Sequence, residues 1–177
     1  SGFKNALLVS YDGMGEIETG MIAKGVDGDI EILQDKVYYP NSLGLIYSAI
    51  TYFLGWKHHC DEGIIMGLAP FGDYNSLIPG QKKTYLEVFK EIVIPKGEKD
   101  YKINLDYIDY HKKRDVWVSK KFKKIFGNVR NYNDPLKLHH KNIAAALQKT
   151  IEDIVLSQLS YFRKKTNLKK LCISGGV

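Results

Sequence analysis

Cysteine is scarce in this chain. Cys60 and Cys172 are the only two among 177 residues. They lie far apart and neither belongs to a CxxC pair, so no disulfide framework or zinc signature is in view. Such usage suits a reducing cytoplasm. Cys172 falls within the apolar run Leu171–Ile173 and reads as a small buried hydrophobe. Long hydrophobic runs are missing too. No apolar stretch approaches the roughly 18 residues of a membrane helix, and no charged-then-apolar leader opens the chain. The first residue is Ser1 rather than Met, so a processed or excised piece of a longer protein is expected. Internal repeats and low-complexity tracts are absent.

What is present is ordinary for a globular domain: 44% hydrophobic and 26% charged residues, enough for one domain with a real core. The net charge of +6 is unevenly spread. Segment 111–130 carries Lys112, Lys113, Arg114, Lys120, Lys121, Lys123, Lys124 and Arg130 against Asp115 alone. A patch of that sign can attract nucleic acid or a phosphorylated ligand. The commoner reading is a solvated helix face, and nucleic acid is not expected as a partner.

The chain is organised around its first strand. Ala6-Leu7-Leu8-Val9 is an apolar run that ends in Tyr11-Asp12-Gly13-Met14-Gly15-Glu16. A carboxylate followed by two glycines can hold a cation and let backbone N–H groups approach a phosphate. The same residues also serve a plain hairpin turn. Runs at 19–24 and 29–34, separated by Gly25-Val26-Asp27-Gly28, complete a three-strand meander. Ser42 caps a helix to about Leu54, with Leu43, Ile46, Tyr47, Ile50, Phe53 and Leu54 on one face and Gly55 at its end. A short apolar segment, 63–69, precedes Pro70-Phe71-Gly72, and Met66–Gly72 also reads as a glycine-rich turn between core segments. A second helix is expected over roughly 81–92. Segment 93–133, polar and rich in Tyr and Lys, reads as an insertion or lid with short elements near 101–105 and 119–126. Asn133-Asp134-Pro135 signals the start of the clearest helix. Its stripe Ile143, Leu147, Ile151, Ile154, Val155, Leu159 and Phe162 runs to about Lys164. A strand at 170–174 then leads into Gly175-Gly176, the kind of turn at which backbone N–H groups meet a phosphate.

This order resembles one half of the RNase H-like, actin-like ATPase architecture, an α/β fold whose mixed sheet combines a three-strand meander with a parallel strand. Four blocks carry a closer resemblance. They are Tyr11–Glu16; Ser42–Tyr47 with Thr51 and Leu54-Gly55; Met66-Gly67-Leu68-Ala69-Pro70-Phe71-Gly72; and Ile143-Ala144-Ala145 with Gln148 through to Ser174-Gly175-Gly176-Val177. Together they resemble the carbamoyltransferases of the nodulation-protein and antibiotic-tailoring type, related to tRNA threonylcarbamoyladenosine enzymes. Residues 1–177 are then a single partial nucleotide-binding domain.

The resemblance implies an ATP-dependent transfer of a carbamoyl group from carbamoyl phosphate, through carbamoyl adenylate, to a hydroxyl of a small molecule. It implies a divalent metal of iron or manganese type, held by two histidines at HxxxH spacing, by the aspartate of the glycine turn and by a later aspartate. Carried over by position, only Asp12 remains as a metal ligand. No two of His58, His59, His111, His139 and His140 stand at i and i+4. The histidine pair would precede Ser1 and the later aspartate would follow Val177, so this piece alone is expected to be inactive. Gly13, Gly15, Glu16, Gly67, Gly175 and Gly176 are the expected nucleotide-contacting positions. The family often has Lys two residues before the Met of the third block, where Ile64 stands here; Asp61-Glu62 keep its acidic position. A tRNA threonylcarbamoyl-transfer protein and a non-catalytic nucleotide-binding module are the alternative readings. His58-His59-Cys60 has metal-like residue types, but adjacent side chains diverge. His139-His140 read as surface residues, and Tyr11 as a core residue behind the aspartate.

Overall fold

The computed structural model describes residues 2–113 and 115–177; Arg114, counted in the basic segment, lies outside them. The fold is mixed α/β. β1 (Asn5–Gly15), β2 (Glu18–Val26) and β3 (Asp29–Ile32) form the antiparallel meander, and β4 (Val37–Tyr38) pairs with the far end of β2. α1 (Leu43–Phe53), α2 (Glu62–Leu68), a 3₁₀ turn at Ala69–Phe71 and α3 (Tyr85–Ile92) follow. The hairpin β5 (Val93–Lys96) and β6 (Asp100–Ile103) stands apart as its own two-stranded sheet. α4 (Lys120–Phe126) and α5 (Leu138–Thr166) lead back to β7 (Leu171–Ser174). β7 lies parallel to β1, with Leu8 opposite Cys172 and Ser10 opposite Ser174. The described sheet therefore runs β3-β2-β1-β7.

β1 alternates in burial because one pleat face looks onto α1: Leu7, Val9 and Tyr11 are buried there. α1 is almost wholly buried because it lies inside the molecule rather than on its surface. α5 places Ile143, Leu147, Ile151, Ile154 and Phe162 in the same core. Ser42 caps α1 by accepting the Leu45 N–H at 3.0 Å. Its Oγ also lies 3.0 Å from the Asp12 carbonyl oxygen and 2.7 Å from that of Gly13. One fully buried hydroxyl thus ties the start of α1 to the end of β1. Ser42→Ala is expected to lower stability by about 1–2 kcal/mol, the range for losing a cap of this kind, read as a shift of the urea midpoint at unchanged m-value.

Several elements differ from expectation. β1 does not stop before Asp12 but continues through it to Gly15, with an irregularity in its pairing to β2 between Tyr11 and Gly15. The positive φ of the hairpin belongs to Glu16, at 56°, not to Gly13 or Gly15. Residues 66–71 are helix and 3₁₀ turn rather than a glycine loop, and Gly72 is the extended residue that ends the turn. α3 begins at Tyr85 because Thr84 and Glu87 form a capping box there. Asp134 instead takes the Asn131 N–H, and α5 begins after Lys137. Cys172 is only half-buried, on a strand whose Leu171 and Ile173 are exposed. His139 is no surface residue: its Nε2 is 2.8 Å from the Phe126 carbonyl oxygen and its Nδ1 is 2.6 Å from the Tyr85 hydroxyl.

Segment 93–133, expected as an insertion or lid, puts Ile103, Tyr107, Ile108, Trp117, Val118, Phe122 and Phe126 into the buried core. α4 packs Phe122 and Phe126 inward and leaves its lysines exposed.

Candidate functional site

A cleft of about 570 Å³ opens at the C-terminal ends of β1 and β7, between α1, α2 and α5. Three backbone features build its floor. The Val177 N–H donates to the Tyr11 carbonyl at 3.3 Å, which folds the Gly175-Gly176 turn over the end of β1. Gly175 has φ 102°, and any side chain there would overlap the Tyr11 carbonyl oxygen, so only glycine fits this crossing. A Cβ on Gly176 would lie 3.3 Å from Asp12 Oδ1. The parallel pairing of β1 and β7 thus sets a carboxylate and a glycine turn side by side.

Asp12 is half-buried and faces the cleft. Its Oδ1 takes the Gly13 N–H at 2.7 Å. Among the described residues it has no ion-pair partner. Behind it, Tyr11 is buried and donates its hydroxyl to Gln158 Oε1 at 2.8 Å. Burial pushes that phenol up, so it stays neutral and acts as a fixed strut. From the other side α1 approaches so closely that Gly44 faces the Asp12-Gly13 backbone with no room for a methyl.

One turn along α1 from Gly44 is Ser48, at the centre of a second group. Its Oγ donates to Glu62 Oε1 at 2.6 Å and lies 3.4 Å from His59 Nδ1. The His59 N–H also donates to Glu62 Oε1, at 2.6 Å. Burial pushes the Glu62 carboxyl up, but the Ser48 hydroxyl and backbone N–H groups together outweigh it and hold the group below the usual carboxylate range. On the opposite wall, Tyr47 donates to Gln148 Oε1 at 2.9 Å and Gln148 Nε2 donates to Glu152 Oε1 at 2.8 Å. Every fully charged side chain lining the cleft is acidic, namely Asp12, Glu62 and Glu152. In a chain of net charge +6 this is a local inversion of sign, and it favours cations over bare anions.

Of the positions expected from sequence, the cleft brings together Asp12, Gly13 and Gly176. Gly175 shapes it through Tyr11. Gly15 and Glu16 lie beyond it, at the end of β1 and in the hairpin turn, both exposed. Gly67 sits on α2 with open space where a Cβ would stand and does not line the cleft, although its neighbour Met66 does. Ser48, His59 and Glu152 were not anticipated as cleft residues. Glu152 follows Gln148 by four, the spacing of one helix face. Ser48 stands in the same relation to Gly44, but His59 reaches the cleft only through the turn after α1.

The metal that the resemblance implies can be tested against these donors. Among the described residues no group of three His, Cys, Asp or Glu side chains is placed to hold a metal ion. Asp12, open to the cleft and free of a protein cation, fits as one hard oxygen donor to a divalent ion. It would need partners from outside this chain.

A family model described as the carbamoyltransferase N-terminus matches residues 1–177. An uncharacterized protein of Synechocystis is 31% identical over 179 residues, covering 100% of this chain and 27% of that protein. Nodulation protein NolO of Bradyrhizobium diazoefficiens is 32% identical over 179 residues, covering 100% of this chain and 28% of the relative. Nodulation protein NolNO of Sinorhizobium fredii is 32% identical over the same length, and the chain covers 23% of it. The chain therefore spans about a quarter of the length of these curated relatives. No helix among the described residues is long and apolar enough to cross a membrane.

Proposed function

The chain belongs to the carbamoyltransferase N-terminus family, and from that premise we propose that its cleft holds the carbamoyl donor during transfer to a small-molecule alcohol. In this reading carbamoyl phosphate and ATP supply carbamoyl adenylate, and the whole enzyme, larger than this chain, works in the cytoplasm. The fold is then one half of an RNase H-like, actin-like nucleotide domain. The meander followed by a parallel strand supports that assignment.

The observation that carries the proposal is the apposition of Asp12 and Gly176 at the ends of neighbouring strands, open to one cleft. Backbone N–H groups of the Gly175-Gly176 turn suit phosphate oxygens. The all-acidic wall would repel a bare phosphate, so an anionic donor needs a cation with it. Asp12 is the carboxylate on hand to share that cation. When bound, a divalent ion would offset phosphate charge and polarise the carbamoyl carbonyl. Tyr11 and Ser42 hold the aspartate's backbone still, which keeps the charge pre-oriented.

Asp12→Asn in the full-length protein is the test. The amide keeps size and the Gly13 contact but removes the charge. Carbamoyl transfer from carbamoyl phosphate with ATP and Mn²⁺ is expected to fall by about 100-fold or more, with unfolding unchanged. A variant as active as wild type, or a wild-type protein that consumes no carbamoyl phosphate, would overturn the proposal.

A further inference from the structure

Transfer to an alcohol needs a group to take the hydroxyl proton, because a neutral alcohol is a weak nucleophile. Asp12 is committed to the cation in the reading above, on which this inference rests. Glu62 already accepts two hydrogen bonds on Oε1, from Ser48 Oγ and from the His59 N–H, both at 2.6 Å. Glu152, exposed as His59 also is, already accepts from Gln148 Nε2. His59 remains.

Its geometry is unusual. A non-glycine residue at φ 61° occupies the left-handed region, which L side chains rarely adopt. The surroundings hold it there. Glu62 fixes its N–H, and its ring packs edge-on at 5.2 Å from Trp117 and 4.9 Å from His58, centroid to centroid.

The hydrogen bonds also select a tautomer. Ser48 has one hydroxyl proton, and the short contact to a carboxylate oxygen that can only accept spends it on Glu62. Towards His59 Nδ1 the serine oxygen can then only accept, so Nδ1 carries the ring proton. Nε2 keeps its lone pair and makes no hydrogen bond among the described residues. Ser48 stands one helical turn, about 6 Å, from Gly44, which touches the Asp12-Gly13 backbone. That offset suits a base acting beside a carbamoyl group whose phosphate end lies at Asp12.

We propose that His59 is the general base of the transfer step, set in its tautomer by Ser48 and Glu62. The acceptor O–H proton passes to Nε2 and the oxygen bonds to the carbamoyl carbon. The bond from that carbon to the adenylate phosphate oxygen breaks, releasing AMP.

The test uses the full-length enzyme with ATP, carbamoyl phosphate and Mn²⁺, and two acceptors. Water needs a base; hydroxylamine, already nucleophilic when neutral, does not, and gives hydroxyurea. Two variants guard the fold: His59→Asn, because asparagine tolerates positive φ, and His59→Gly, which removes the strain and leaves room for free imidazole. AMP release with water is expected to fall by about 100-fold or more, hydroxyurea formation to stay within about twofold of wild type, and added imidazole to restore part of the water rate in His59→Gly. An unchanged water rate overturns the role of His59, as do two rates that fall together or an absence of rescue by imidazole. Failure of the wild type itself to form hydroxyurea overturns the proposed function instead, and this inference with it.

Discussion

Gly44→Ala is expected to destabilise the domain by about 3 kcal/mol, the upper range for an overpacked interior, and to disable the cleft at the same time. A Cβ at this position would lie 2.6 Å from the Gly13 nitrogen, 2.8 Å from its Cα and 2.9 Å from the Asp12 carbonyl carbon. All three are backbone atoms of β1, so no rotamer change relieves the overlap. Either α1 moves off the sheet or β1 moves, and each option has a cost. Moving α1 breaks the Ser42 bridge to the Asp12 and Gly13 carbonyls and opens the packing of Leu43, Ile46 and Ile50. Moving β1 carries Asp12 away from Gly176. Urea unfolding of Gly44→Ala and of Gly67→Ala separates this from a general intolerance of alanine. Gly67 lies in α2 with open space around it, so its alanine variant is expected to gain about 0.5–1 kcal/mol from helix propensity. Equal midpoints for Gly44→Ala and wild type would show that α1 and β1 are not in the tight contact described.

That contact also shows which features were open to a reader of the sequence. α1 was legible because its signals are local: a serine cap, a 3/4 apolar stripe and a closing glycine, whose φ is 88°. The core stripe of α5 was legible for the same reason. The meander and β7 followed from apolar runs punctuated by glycine and aspartate. In segment 93–133 the short elements near 101–105 and 119–126 were legible, as β6 and α4 show, but its burial was not, because that is non-local. Besides pairing with each other, Phe122 and Phe126 meet Phe53 on α1, Phe89 on α3 and His139 on α5, and Trp117 meets His58 in the turn after α1. The pairing of Asp12 with the Gly-Gly turn came from resemblance, since no local rule brings residue 12 to residue 176. The grouping of Ser48, His59 and Glu62 was hidden for another reason. Each has an ordinary reading alone, as a helix serine, a loop histidine and a first-turn glutamate. Only the turn after α1, with His59 at positive φ, folds the three together.

Arg130 makes the same point for charge. In sequence it is one of eight cations in segment 111–130, and a solvated face was the natural reading. Lys120, Lys121, Lys123 and Lys124 do stand exposed. Arg130 does not. It is 8% exposed, its guanidinium lies 4.5 Å over the Trp56 ring, and it donates to three carbonyl oxygens: Leu54 at 2.6 Å, Tyr132 at 2.7 Å and Asp134 at 3.0 Å. One side chain therefore joins the end of α1 to the turn that launches α5, the two helices that wall the cleft. Gly55 lets it in, since a Cβ there would meet the Arg130 carbonyl oxygen at 2.5 Å. Arg130→Ala is expected to cost about 3 kcal/mol, because buried acceptors are left without donors and charged hydrogen bonds are lost. Arg130→Lys is expected to recover less than half of that, since an ammonium cannot reproduce a planar fork reaching three acceptors. Lys123→Ala with Lys124→Ala is expected to stay within about 0.5 kcal/mol of wild type. Urea midpoints for the three variants decide the matter. If alanine at 130 matched the double lysine variant, the arginine would be part of the basic surface after all, and the link between α1 and α5 would have to be carried by packing alone.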